Sequence, residues 1–254
     1  MSADRDISIS RLIFEGTAIV ISILLAFAID AWWDERRERV REGEILLALQ
    51  ADFKANREEA AAVIALHVDT ANLFTEFRSM QAEVIAGLSP EKRSAIVAAL
   101  VNPATYDPVR GTLDMLLGGG NLDLISDPEL HKGLVSYTYA VDDALDDANF
   151  MTQTALPVWN AMIKAGGPWA VNFSGDASTA RCKTAEPDSS CRMGTTVAFL
   201  TDPSHADVLR IKDDSELLGK AALHHFVGSG YTGELRRVLD QIDLILAILD
   251  EDLR

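Results

Sequence analysis

Residues Ile13–Trp33 read IFEGTAIVISILLAFAIDAWW and run without a break into Asp34–Glu44, DERRERVREGE. At ~1.5 Å rise per residue, an apolar helix of about twenty residues matches the ~30 Å hydrocarbon core of a bilayer. No small-residue cleavage site follows it, because the run ends in Ala31-Trp32-Trp33 and then a dense mix of Asp, Glu and Arg. The segment therefore reads as an uncleaved anchor rather than a signal peptide. Trp32 and Trp33 suit the membrane interface, where an amphipathic ring keeps one edge wet. The expectation is a single-span membrane protein whose chain lies in water from about residue 34 onward.

Two ionisable residues sit near the ends of this span, Glu15 and Asp30. In helical steps, Glu15, Ala18, Ser22, Ala26 and Asp30 lie along one slowly drifting stripe, and Ile19, Ile21, Ile23, Leu24, Leu25 and Phe27 occupy most of the remainder. A small and polar stripe is how membrane helices approach closely, which makes these five residues a candidate interface in a homo-oligomer or a larger membrane complex. The competing reading puts both acids at headgroup depth, where a carboxylate costs little, with the small residues incidental. A proton or ion pathway would need more spans and more buried titratable groups.

The chain has 254 residues, so roughly 220 follow the anchor, enough for one domain of ordinary size. A formal charge of −16 argues against nucleic acid and against adsorption to anionic headgroups. Only two cysteines occur, Cys182 and Cys191, inside SGDASTARCKTAEPDSSCRMGTT, with no His or further Cys close enough for a zinc quartet. A disulfide closing this loop, worth roughly 2 to 3 kcal/mol by the chain-entropy model, is the favoured reading; two cytosolic thiols are the alternative. Orientation signals conflict. Arg5, Arg11 and the amino terminus precede the span, while Arg36, Arg37, Arg39 and Arg41 follow it, which taken alone places the carboxyl-terminal domain in the cytoplasm. Those arginines are interleaved with Asp34, Glu35, Glu38 and Glu42, and the rule weakens for long translocated domains, so the cysteines decide: amino terminus inside, domain in the periplasm.

The rest of the chain reads as mostly helical. Asp30 to about Gly87 has no Pro and places Val40, Ile45, Leu46, Leu49, Phe53, Val63, Ile64, Leu66, Leu73, Phe74 and Phe77 at spacings of three and four, so the anchor is expected to continue as a long stalk helix. Ser89-Pro90-Glu91 starts a second helix, running to Leu100 before Asn102-Pro103 stops it. Asp127-Pro128-Glu129 starts another, running to about Ile163. Gly166 to about Pro203 is irregular, with Trp169–Phe173 and Thr195–Leu200 able to pair as a hairpin around the cysteine loop. Ser204 to Leu253 returns to a helical pattern that ends in Leu239, Ile242, Leu246, Leu249 and Leu253.

Taken together, the anchor pattern E-G-x-x-I-V-x-S-I-L-L-A-x-x-I-D-x-W, the charged helix after it, the run Tyr106, Leu113, Leu116, Gly120-Asn121-Leu122-Asp123-Leu124-Ile125, Asp127, Glu129-Leu130 and Tyr137, and the closing leucine-rich helix resemble an uncharacterised family of bacterial single-span membrane proteins. The resemblance covers most of the chain except Gly166 to Pro203. It implies a helical domain on the far side of the inner membrane and carries no assigned activity, substrate or catalytic residues. This chain departs from the pattern in having few basic residues before the span.

Motifs for chemistry are sparse. Gly118-Gly119-Gly120 has no following Lys-Ser or Lys-Thr and reads as a helix stop with left-handed residues rather than a phosphate cradle. Asp142, Asp143, Asp146 and Asp147 share adjoining helix faces and read as a solvated surface, since calcium sites usually need loop carbonyls as well. His224 and His225 point about 100° apart on a helix, and His67 and His131 stand alone in sequence. Tyr106, Tyr137, Tyr139, Trp159 and Trp169 read as packing residues, with a pocket between bundle helices as the alternative. No Gly-x-Ser-x-Gly elbow, kinase set or zincin motif occurs.

The expected architecture is mainly α: a tail at 1–12, a transmembrane helix at 13–33 continuing into the stalk, and an extracytoplasmic bundle at 34–254 with a disulfide-closed loop or β-hairpin inserted at about 166–203. The expected function is a non-enzymatic structural or accessory protein of the bacterial inner membrane, without a cofactor or metal. It would work through the lipid bilayer and protein–protein contacts, as a homo-oligomer or a subunit of a larger complex. The other class is an extracytoplasmic small-molecule-binding module, which would signal through a partner because only about a dozen residues precede the span.

Overall fold

The computed structural model describes the backbone of residues 9–165, 171–172, 198–199 and 203–253, and side chains at Thr17 and from Val20 onward within the helical and loop parts of those ranges. The chain is mainly helical, and its long helices form a bundle. Helix α1, Ile9–Ser79, is a single rod of 71 residues, roughly 105 Å at helical rise. Short helices α2 (Ala82–Ala86) and α3 (Pro90–Ala98) follow. An extended strap then leads into α4, Gly111–Gly118. A 3-10 turn at Leu122–Leu124 precedes α5, Pro128–Lys164. Helices α6 (His205–Asp213) and α7 (Ser215–Asp252) complete the chain.

The bundle is built from one repeated spacing. On α1, Leu46, Leu49, Phe53, Asn56, Ala60, Val63, His67, Thr70, Phe74 and Phe77 alternate steps of three and four, and every one is buried or half-buried. Leu130, Leu134, Tyr137, Val141, Ala144, Ala148, Met151, Ala155, Val158 and Met162 do the same on α5. Leu217, Ala221, His224, Gly228, Tyr231, Leu235, Val238, Ile242, Ile245 and Leu249 do so on α7. An unbroken three-four alternation keeps one seam of each helix facing its neighbours, which is the packing of near-parallel, coiled-coil-like bundles. Between α5 and α7, a Cβ on Gly133 would lie 3.1 Å from Ile245, so a glycine here suits their close packing.

The buried apolar side chains form two clusters along the rod. One joins Leu49 and Phe53 of α1 to Leu113 and Leu116 of α4, the first half of α5 and the second half of α7. The other joins Phe74 and Phe77 to Ile85, Ile96, Leu100, the end of α5, Val208 and Ile211 of α6, and Leu217. Full burial of each such side chain stabilises the fold by ~1.5–3 kcal/mol.

Helix ends follow local chemistry. Ser89 Oγ accepts the Lys92 amide at 3.3 Å. Asp127 Oδ1 accepts the amides of Glu129 and Leu130 at 2.6 and 3.4 Å. Ser204 and Asp207 form a reciprocal capping box. Gly120 has φ +63°, and the Asn121 amide returns to the Leu116 carbonyl at 3.0 Å, a left-handed stop for α4. Two boundaries differ from the sequence reading. The stalk helix ends at Ser79 rather than near Gly87, with Ala82–Ala86 a separate turn. The pattern from Ser204 onward is two helices, because Asp214 leaves helical geometry (φ −84°, ψ 93°) and its carboxylate caps α7 through the Leu217 amide at 2.9 Å.

Val171–Asn172 and Ala198–Phe199 pair antiparallel, Val171 opposite Phe199. Cys182 and Cys191 lie outside the described residues, as do Trp169 and most of 166–203.

Candidate functional site: a histidine-lined cleft over a buried polar layer

The strap from Ala99 to Arg110 crosses the bundle between the two apolar clusters, and Ala99, Leu100, Val101, Asn102 and Tyr106 are all buried. Backbone polar groups buried outside a helix need partners, and side chains of the long helices supply them. Asn56, 1% exposed, accepts the Val109 amide at 2.7 Å and donates to the Val109 carbonyl at 2.9 Å and to the Tyr137 hydroxyl at 3.2 Å. Tyr231 accepts the Tyr106 amide at 2.6 Å, and the hydroxyls of Tyr106 and Tyr137 meet at 2.9 Å. Burial raises the Tyr137 and Tyr231 phenols to about 12.

Three histidines hold the other half of the strap. His67, on α1, reaches the Ala104 carbonyl through Nε2 at 2.9 Å. A carbonyl only accepts, so Nε2 carries the proton and Nδ1 is a bare lone pair. His225 donates from Nε2 to the Ala99 carbonyl at 2.7 Å by the same logic, and its ring stacks on Phe74 with centroids 4.7 Å apart. His224 is the reverse tautomer. Thr154 Oγ1 donates to the Met151 carbonyl at 2.6 Å and so accepts from His224 Nδ1 at 2.8 Å; Nε2 lies 3.0 Å from both the amide and the carbonyl of Asn102, and in this tautomer it accepts from the amide. Burial lowers all three imidazoles below their usual range, His224 to about 4, and keeps them neutral at pH 7.

A cleft of about 100 Å³ opens above this layer, between Val68 and Ala71 of α1 and His225, Ser229 and Arg236 of α7. His67 and Gly228 form its floor: a Cβ on Gly228 would sit 3.5 Å from His67 Nδ1. Arg236 is exposed and makes no ion pair or hydrogen bond among the described residues, whereas adjacent Arg237 pairs with Glu234 at 2.8 Å.

The structure thus unites residues that lie far apart in sequence: His67, which sequence spacing leaves alone, faces α7 beside His224. The signal available was the seam itself, since His67 and His224 occupy its three-four positions. Among the described residues no group of three or more His, Cys, Asp or Glu is arranged to hold a metal ion. Asp142 and Asp143 are exposed, and Asp142 lies 3.7 Å from Arg110. Tyr106 and Tyr137 are buried, and Tyr139 is exposed.

At the other end of α1, Ser22, Ala26 and Asp30 are exposed, while the side chains of Glu15 and Ala18 are outside the described set. Trp32 and Trp33 pack edge to face with centroids 5.1 Å apart. Among the described residues no helix is long and apolar enough to cross a membrane. Of Ile13–Trp33, Ile13–Gly16, Ala18 and Ile19 are described in backbone alone.

The fold defines the class, a mainly helical bundle on a long leading helix. No family model, curated protein or solved structure matches the chain.

Proposed function

We propose that this protein is a non-enzymatic, membrane-anchored accessory or structural component, a member of the single-span bacterial family its sequence resembles, acting through protein–protein contacts. The observation that carries the reading is the leading third of α1. Val20, Ile21, Ile23, Leu24, Leu25, Phe27 and Ile29 are 48–67% exposed, and no other part of the described structure packs them away. So long an exposed apolar row on an otherwise acidic protein requires an apolar environment. Lipid supplies it over most of the circumference, and a second helix supplies it along Glu15, Ala18, Ser22, Ala26 and Asp30. The domain from residue 34 onward is proposed to stand in the periplasm, its 166–203 insertion a hairpin closed by a Cys182–Cys191 disulfide.

The deciding experiment is purification of the tagged chain from native membranes in mild detergent, with particle mass and co-purifying proteins recorded. A homo-oligomer or stable heteromeric complex supports the reading. A monodisperse monomer with no partner overturns the contact role, and recovery in the soluble fraction without detergent overturns the anchor.

A second reading, a small-molecule-binding module that signals through a partner, is favoured by the cleft over His67.

A further inference from the structure

We propose that the cleft between α1 and α7 binds a small α-hydroxycarboxylate, its carboxylate paired with Arg236 and its hydroxyl donating to the bare Nδ1 of His67 above Gly228. The inference rests on the small-molecule reading, to which it gives a site and a ligand class, and it is independent of the anchor.

Three features distinguish the cleft from an ordinary surface groove. First, His67 is 5% exposed, and its Nδ1, an acceptor by tautomer, has no hydrogen-bond partner among the described residues. An acceptor open to a cleft takes a donor from whatever enters. Second, Gly228 keeps the way to that nitrogen open. It occupies a seam position of α7 where every neighbour in the series carries a side chain, and a Cβ there would come within 3.5 Å of Nδ1. Third, Arg236 is a guanidinium without an anion among the described residues, on a chain of net charge −16 where carboxylates for pairing are plentiful. Its fork matches a carboxylate in two-point geometry.

Size and lining narrow the ligand. An apolar cavity of ~150 Å³ accommodates the six non-hydrogen atoms of benzene, so about 100 Å³ encloses roughly four, and the carboxylate of a short acid lies at the mouth beside exposed Arg236. Val68 and Ala71 offer apolar contact for a short alkyl group. An acid group, a neighbouring donor and a methyl-sized remainder together describe a short hydroxy acid. Inorganic phosphate lacks the apolar part, and a plain fatty acid lacks the donor.

The test is isothermal titration of the full chain in detergent with L-lactate and with propionate, for the wild-type protein and for Arg236→Gln, Arg237→Gln and Gly228→Ala. Lactate is expected to bind at millimolar concentration or better. Arg236→Gln should weaken it about tenfold or more, and Arg237→Gln, with the same change of charge one residue away, should leave it unchanged. Propionate should bind more weakly than lactate. Gly228→Ala places a methyl over Nδ1 and should reduce the lactate preference, and unchanged helicity by circular dichroism separates this from misfolding. Absence of lactate binding overturns the proposal, as does equal weakening by the two arginine variants or equal affinity for propionate. None of these readings depends on particle mass or partners, so they fail separately from the accessory role.

Discussion

His224 donates to Thr154 across the α5–α7 interface at 2.8 Å, and that bond fixes which of its ring nitrogens is free to accept the Asn102 amide. A neutral imidazole is therefore built into the middle of the bundle, and burial disfavours the charge that protonation would bring. With the folded value lowered from 6.5 to about 4, the unfolded chain takes up the proton first as pH falls. Stability is complete above about pH 6.5 and is lost as pH falls from there toward 4, by up to ~3 kcal/mol for this residue. His67 and His225 shift in the same direction and add to the loss. Thermal unfolding at pH 7 and pH 5 should show the lower Tm at pH 5, and His224→Leu should flatten that dependence while lowering stability at pH 7.

Asn56 mimics a strand partner for Val109, taking both its amide and its carbonyl. Asn56→Ala would withdraw both bonds and leave the volume of the amide empty inside the apolar seam. A cost of roughly 2–4 kcal/mol is expected, visible as a lower urea midpoint with unchanged slope. A loss below ~1 kcal/mol would show that water replaces the amide without difficulty.

Gly119 and Gly120 act differently in the stop after α4. Gly120→Ala forces a side chain into left-handed geometry and should cost ~1 kcal/mol. At Gly119 the objection is steric: an added Cβ would lie 2.8 Å from the Met115 carbonyl oxygen. Gly119→Ala should therefore be the more damaging of the two, and the reverse order in chemical denaturation would contradict the described turn.

Ser22→Leu and Ala26→Leu enlarge the small stripe on the leading helix. Both are expected to loosen self-association or partner binding by about tenfold without changing the unfolding midpoint of the distal bundle. Sedimentation in detergent reads the first quantity and circular dichroism the second. An assembly unchanged by both substitutions removes the stripe from the proposed contact.

Local sequence rules specified much of this fold, and they failed at identifiable places. Ser89-Pro90, Asp127-Pro128 and Gly118-Gly119-Gly120 marked helix ends correctly, because a cap, a fixed φ and a left-handed residue act within a few bonds. The break at Asp214 was invisible, since Asp is tolerated inside helices and only its capping of Leu217 reveals the boundary. His67 and His224 could not be joined by any local rule, being separated by most of the chain.

Helical periodicity is a property of the chain itself, and the spacing of apolar residues along α1, α5 and α7 already required long amphipathic helices with one buried seam each. Periodicity says nothing about which polar residues may occupy that seam. Asn56, His67 and His224 lie on it because the strap from Ala99 to Arg110 runs through the bundle with backbone groups that need partners, and only helix packing brings those partners within hydrogen-bond reach. The tertiary structure therefore decided the polar layer, and with it the cleft beside Gly228.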